Sequence, residues 1–125
     1  MGGVYLPAAI GLNGGARAEV YHEGVMRLNG VDIPEDRLAQ FCRRHEVVRL
    51  AFFGSILRED FRADSDVDVL VEFATERGPG LFGFAGMQIE LTEMLGRPVH
   101  LHTAAMLGPT CRANVTQSAA VAYAA

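Results

Sequence analysis

The sequence predicts an α/β (α+β) fold: a small mixed β-sheet with helices packed on one face and the other face left open for a site. Three observations carry this. Two apolar runs, Val47–Phe53 and Val67–Phe73, are separated by Gly54-Ser55 and a polar stretch, as strands joined by a turn would be. Segments with apolar residues at helical spacing lie on either side of them, over residues 32–45 and 81–95. Half of the 125 residues are apolar, which is enough for one core and one domain. The predicted order is helix, strand, turn, strand, helix, strand, helix.

Residues 1–30 hold seven of the fourteen glycines and show no sustained period. They are expected to form a loosely ordered extension, with residues 4–6 able to lie as an edge strand, and a chain starting at Met26 is expected to fold. Residues 31–125 are the expected domain. Asp32-Ile33-Pro34-Glu35 predicts a helix start, with Asp32 as N-cap, an early proline, and glutamate three residues after the cap. That helix runs to about His45, with Leu38, Phe41 and Cys42 inward and Arg37, Gln40, Arg43 and Arg44 outward. Cys42 is expected to be a core residue. After a loop at residues 75–80, a second helix carries Phe84, Met87, Leu91, Met94 and Leu95 near one face, and Gly96 ends it. Residues 99–103 predict a short strand with His100 and His102 on one face and Val99 and Leu101 on the other. Pro109 and residues 111–124 predict a closing helix with Val115, Ala119 and Tyr123 inward.

Composition excludes several classes. The net charge is −4 and all eleven basic residues are arginine, so there is no basic footprint for duplex nucleic acid. Two cysteines without paired spacing argue against a zinc site or disulfide framework and for a reducing, cytoplasmic setting. No apolar run approaches the ~20 residues needed to span a bilayer, and no basic leader precedes one, so neither membrane insertion nor export is expected.

The chemistry is expected within residues 50–73. In a strand, side chains two apart share a face, so Asp66 and Asp68 project together while Val67, Val69 and Val71 point the other way. Adjacent carboxylates repel and resist desolvation unless a cation holds them, and hard oxygen ligands suit Mg²⁺ or Mn²⁺. An EF-hand loop starting at Asp64 would need glycine and glutamate where this chain has Val69 and Thr75, so that alternative fails. Haloacid-dehalogenase phosphatases and many glycosyltransferases carry their paired aspartates after the apolar strand rather than before it. The plain alternative is a solvated strand end paired with Arg58 or Arg62. Gly54-Ser55 weighs against it, because a glycine at a strand end lets backbone approach a ligand, and the next amides and the Ser55 hydroxyl donate to phosphate oxygens.

Gly54-Ser55, ten intervening positions and Asp66-Val67-Asp68, with Arg58 and the Ser65-Asp66 pair, resemble the signature of the DNA polymerase β-like nucleotidyltransferase superfamily. Within it the chain resembles the minimal nucleotidyltransferases, antitoxin partners of HEPN ribonuclease toxins. The resemblance spans about residues 31–125, including the Pro79-Gly80-Leu81-Phe82 helix entry and Leu95-Gly96-Arg97. It implies a polymerase β-like core in which Gly54, Ser55, Arg58 and Ser65 bind the nucleotide and Asp66 and Asp68 bind two divalent cations, Mg²⁺ or Mn²⁺. It further implies AMP transfer from ATP to a tyrosine hydroxyl of a cognate HEPN toxin. Larger members carry an acceptor-binding domain, for which this chain has no room, so the acceptor is expected to come on a macromolecular partner. Arg58 has an alternative role as a partner of Asp60 or Glu59, and Arg62 is the second choice for the phosphates.

One residue departs from the family pattern. The third carboxylate of the family falls at His100, in Val99-His100-Leu101. Glu72 shares parity with Asp68 but lies ~13 Å along the strand, and Glu90 and Glu93 belong to a helix, where they are expected to be solvated. His100 is therefore either a ligand that favours Mn²⁺ and a base, or the mark of a weakened site beside a solvent-facing His102. The alternatives to an adenylyltransferase are a catalytically weakened module that neutralises its partner by binding, and a small-molecule nucleotidyltransferase.

Overall fold

The computed structural model describes residues 3–4, 18–21, 24–75 and 78–125. The elements, in chain order, are β1 (Gly3–Val4), β2 (Ala18–Tyr21), β3 (Val25–Leu28), β4 (Val31–Pro34), α1 (Glu35–Arg44), β5 (Val47–Phe53), a 3₁₀ turn (Gly54–Leu57), β6 (Val67–Phe73), α2 (Leu81–Leu95), β7 (Val99–His102), a second 3₁₀ turn (Ala104–Met106), α3 (Pro109–Ser118) and β8 (Ala120–Ala124). Five strands form the main sheet in the order β1-β8-β5-β6-β7, and β2-β3-β4 form a second, smaller sheet. The main sheet is mixed. β5 runs antiparallel to both β6 and β8, whereas β6 and β7 are parallel. A parallel pair needs a crossover, and α2 supplies it.

Alternation decides which face is buried. Val67, Val69 and Val71 of β6, Leu50 and Phe52 of β5, and Val99 and Leu101 of β7 all enter the core. Leu38, Phe41 and Cys42 of α1 and Met87 and Leu91 of α2 join the same cluster. Burial pushes the Cys42 thiol up to about 12, as expected of a thiol among hydrocarbon neighbours. Asp68, Leu70, His100 and His102 emerge on the opposite face of the main sheet, only partly covered. Gly96 ends α2 in the left-handed region at φ 72°, its amide donating to Thr92 O. Among the described residues no helix is long and apolar enough to cross a membrane.

The N-terminal part corrects two expectations. Most of the segment 1–30, expected to be loosely ordered, lies outside the described residues, as do Tyr5 and Leu6 of the proposed edge strand; Val4 is in β1, which pairs with β8. Where residues 18–30 are described they form β2, β3 and a turn, and Met26 and Leu28 are fully buried in the shared core. Asp32 is not a helix cap. It sits in β4 opposite Arg27, whose Nε donates to its carboxylate at 2.7 Å. α1 begins at Glu35 with Pro34 at the cap position, and the Glu35 amide is satisfied by Gly24 O at 2.8 Å. Once a backbone carbonyl meets that amide, no side-chain cap is needed there, and Val31-Asp32-Ile33 are free to alternate as a strand.

The C-terminal part corrects a third. The predicted closing helix stops at Ser118, and Ala120–Ala124 is a strand inserted between β1 and β5. Alanine favours helix by propensity, but pairing along the free edge of β5 and burial of Ala120, Ala122 and Tyr123 outweigh it. The register shifts between Leu50 and Ala51, a bulge that accommodates Ala122.

Candidate active site

β5 ends at Phe53, and the chain turns at once through Gly54 at φ 75°, a conformation that favours glycine. A Cβ at this position would lie 2.7 Å from Asp68 Oδ2, so the missing side chain is what allows the Asp68 carboxylate to rest against the turn. Phe53 and Asp68 are directly opposite in the β5-β6 ladder. Strand pairing therefore fixes the glycine turn and the aspartate strand side by side. The Ser55 hydroxyl donates to Asp66 O at 3.3 Å, a second tie between turn and strand. Gly54, Ser55, Asp66 and Asp68 are thus brought together as the sequence predicts.

β7 adds two imidazoles. His100 Nε2 lies 2.8 Å from Asp66 Oδ2, and His102 Nε2 lies 3.4 Å from Asp68 Oδ1. In the parallel register Asp68 is level with His100 and Leu70 with His102, so each histidine reaches one same-face position back along β6. His102 is not solvent-facing: three quarters of its side chain is covered, and its ring meets the edge of Phe53 at 5.2 Å between centroids. The alternation of β7 put both histidines on the site face, but a sequence alone does not say which carboxylate each will meet.

The remaining predicted residues are placed nearby, with local partners. Arg58 Nε donates to Asp60 at 3.0 Å, and the guanidinium holds the Asp60 carboxyl below its ordinary range. The Ser65 hydroxyl accepts from the Arg62 amide at 2.9 Å and closes the loop that leads into β6. The same loop is held from outside by Arg97, which donates to Arg62 O at 3.1 Å and lies over the Phe61 ring. Glu72 approaches Arg49 at 4.0 Å, and Glu90, expected to be solvated, is paired with both Arg44 and His45.

Among the described residues no group of three or more histidine, cysteine, aspartate and glutamate side chains forms a ready metal cage. Asp66 and Asp68 nevertheless fit a hard divalent cation. They are two oxygen donors on one face, half to one third exposed, beside the glycine turn. Mg²⁺ typically takes one or two protein carboxylates and completes its shell with water and substrate phosphate.

Comparison with known proteins agrees with this geometry. Residues 35–121 match the nucleotidyltransferase domain family. A protein of Methanocaldococcus jannaschii named "Putative protein adenylyltransferase" is 33% identical over 76 residues, covering 61% of this chain and 80% of that protein. A solved structure described as that of a "putative minimal nucleotidyltransferase" superposes with a TM-score of 0.57 at 36% identity, covering 67% of this chain and 84% of the other. The chain therefore belongs to the nucleotidyltransferase domain family, with the fold of a minimal, polymerase β-like member.

Proposed function

We propose that this chain transfers AMP from ATP to a hydroxyl group on a protein partner, the tyrosine of a cognate HEPN ribonuclease toxin, and so acts as its antitoxin. The observation that carries the reading is the contact of the glycine turn with the aspartate strand, which sets a phosphate holder against a cation holder. Two further points support a protein acceptor. The Methanocaldococcus jannaschii relative is named as a protein adenylyltransferase, and Leu81 and Phe82 are 82% and 91% exposed beside an apolar cleft of about 740 Å³. Large exposed apolar side chains of this kind mark protein contacts. The cleft lies toward the Val71–Phe73 end of β6, away from Asp66.

In the reaction, the acceptor oxygen attacks the α-phosphorus of ATP. The bond from that phosphorus to the bridging oxygen breaks, and pyrophosphate leaves. Gly54 and Ser55 receive the phosphates, and Arg58 turns from Asp60 to neutralise them, which costs little because that ion pair is exposed. Asp66 and Asp68 would hold Mg²⁺ or Mn²⁺, which when bound activates the hydroxyl and offsets the developing charge. An ionised Asp66 only accepts, so His100 Nε2 carries the hydrogen of their contact and Nδ1 is left as the basic nitrogen to receive the hydroxyl proton.

A second reading has a specific observation in its favour. Both carboxylates already have imidazole partners, and by the resemblance His100 stands where the third carboxylate of the family is expected. This fits a weakened enzyme that neutralises its partner by binding. Titration calorimetry with ATP, with and without Mg²⁺ or Mn²⁺, tests the nucleotide site. Cation-dependent binding is expected in the wild type and not in the Asp66→Ala, Asp68→Ala double variant. Equal affinity in all four cases would remove the site. Transfer of α-labelled AMP to the HEPN partner separates the two readings: label on a tyrosine is the enzyme, and a tight complex without label is the binding module.

A further inference from the structure

We propose that Asn29 is a positioning residue for the nucleotide-binding turn. It is the first residue of the Asn29-Gly30 turn between β3 and β4, at φ 49°, a left-handed conformation that asparagine tolerates well. Its side chain leaves the hairpin altogether. Nδ2 donates to Ile56 O and to Arg58 O, each at 2.9 Å. An amide nitrogen has two hydrogens, and here each has one carbonyl acceptor, so the group works as a fork across residues 56–58.

The peptide unit converts that grip into orientation. A trans peptide is planar, with N–H and C=O pointing in opposite directions. Fixing Ile56 O therefore fixes the Leu57 amide, and fixing Arg58 O fixes the Glu59 amide on the far side of Arg58. The turn also has its own closing bond, Arg58 N to Ser55 O at 2.9 Å. The internal bond holds Arg58 to Ser55, and the fork from the hairpin holds Arg58 to Ile56, so the two ties together fix the turn from residue 55 to residue 58. Residues 58–60 are exposed and have little packing to restrain them, so the Asn29 fork is the means by which a buried hairpin reaches them.

This inference rests on the reading that Gly54, Ser55 and Arg58 bind the triphosphate. Asn29 lies outside residues 35–121, the span that matches the family, and belongs to the β3-β4 hairpin. Its effect should appear in nucleotide affinity rather than in the fold. Asn29→Gly keeps the positive φ without strain and removes both donors. Asn29→Asp keeps the turn preference and presents oxygen to two carbonyls.

The test is ATP titration with Mg²⁺ or Mn²⁺ for the wild type, Asn29→Gly, Asn29→Asp, Arg58→Ala and the Asn29→Gly, Arg58→Ala pair, with thermal midpoints measured alongside. Loss of two hydrogen bonds to the turn is expected to weaken ATP about five- to thirtyfold in Asn29→Gly and at least as much in Asn29→Asp. Thermal midpoints should stay within a few degrees of the wild type. The effect of Asn29→Gly should shrink when Arg58 is already alanine, since part of it acts through that side chain. Wild-type affinity in Asn29→Gly would overturn the inference and leave the proposed function standing. A loss in both variants that merely follows unfolding would overturn it too. A wild-type protein that binds no ATP would overturn the proposed function, and this inference with it.

Discussion

Gly54 and His100 are the two residues at which a single substitution separates the uses of the site. Gly54→Ala adds a methyl group 2.7 Å from Asp68 Oδ2 and forces a non-glycine residue to φ 75°. The backbone penalty is ~1–2 kcal/mol. The steric conflict is with the end of a flexible carboxylate, which can swing aside. Stability should therefore fall only modestly while cation-dependent ATP affinity falls much further, and denaturant melts beside calorimetry check the pair. For His100, two substitutions assayed for AMP transfer under both metals decide its role. His100→Ala is expected to abolish Mn²⁺-supported transfer, because the imidazole on Asp66 is lost and no base replaces it. If His100 instead only marks a weakened site, His100→Ala should change little and His100→Asp should raise the Mg²⁺-supported rate, since a hard oxygen donor then stands where the resemblance implies a carboxylate. A wild-type rate in His100→Ala would remove the role assigned to it. Asp66 and Asp68 were legible in sequence because strand parity and glycine chemistry are local. The role of Asn29 and the pairing of His102 with Asp68 were not, because their partners lie in other strands and turns, far away in sequence.

At the scale of elements, the β3-β4 hairpin and the α1-α2 contact each carry a measurable consequence. Leu28 is fully buried in the common core, so Leu28→Ala should cost ~2–5 kcal/mol, a cost that a peripheral extension would not show. Chemical denaturation reads it directly. At the end of α1, Arg44 and His45 both meet Glu90 of α2. Burial, and then the neighbouring Arg44, hold the His45 imidazole below its ordinary pKa of 6.5. The carboxylate does not reverse this, because Arg44 already neutralises it. The sign follows from linkage: the unfolded chain takes up the proton first, so this contribution to stability is fully present above pH 6.5 and is lost as pH falls below that value. A thermal midpoint that drops over this range in the wild type, and drops less in His45→Gln, is the expected result. Periodicity made α1, β5, β6, α2 and β7 readable from sequence to within a residue or two. β4 and β8 were misread for one reason: each is a strand only because another strand lies beside it, and neither Asp32 nor an alanine run records its neighbour.

At the scale of the whole molecule, the glycine turn beside Asp68 and the exposed apolar start of α2 are distinct places, so the proposed nucleotide and partner roles can be tested separately. Phe82→Asp, at the exposed start of α2, should leave ATP affinity unchanged and weaken binding of the HEPN partner at least tenfold, as loss of an aromatic anchor does. Unchanged partner affinity would move the interface elsewhere. The position of β8 has a kinetic consequence. β5, apolar at every position but Arg49, has Phe52 opposite Ala120 and Arg49 opposite Ala124, so one of its two edges is closed only by a segment from the other end of the sequence. Until that segment docks, the chain presents an apolar strand with bare amides and carbonyls, the kind of edge on which molecules stick to one another. Long-range closure of this type slows folding. Refolding yield should therefore fall with protein concentration, and substitutions such as Val121→Pro that block the last pairing should lead to precipitation rather than to a soluble, partly folded monomer.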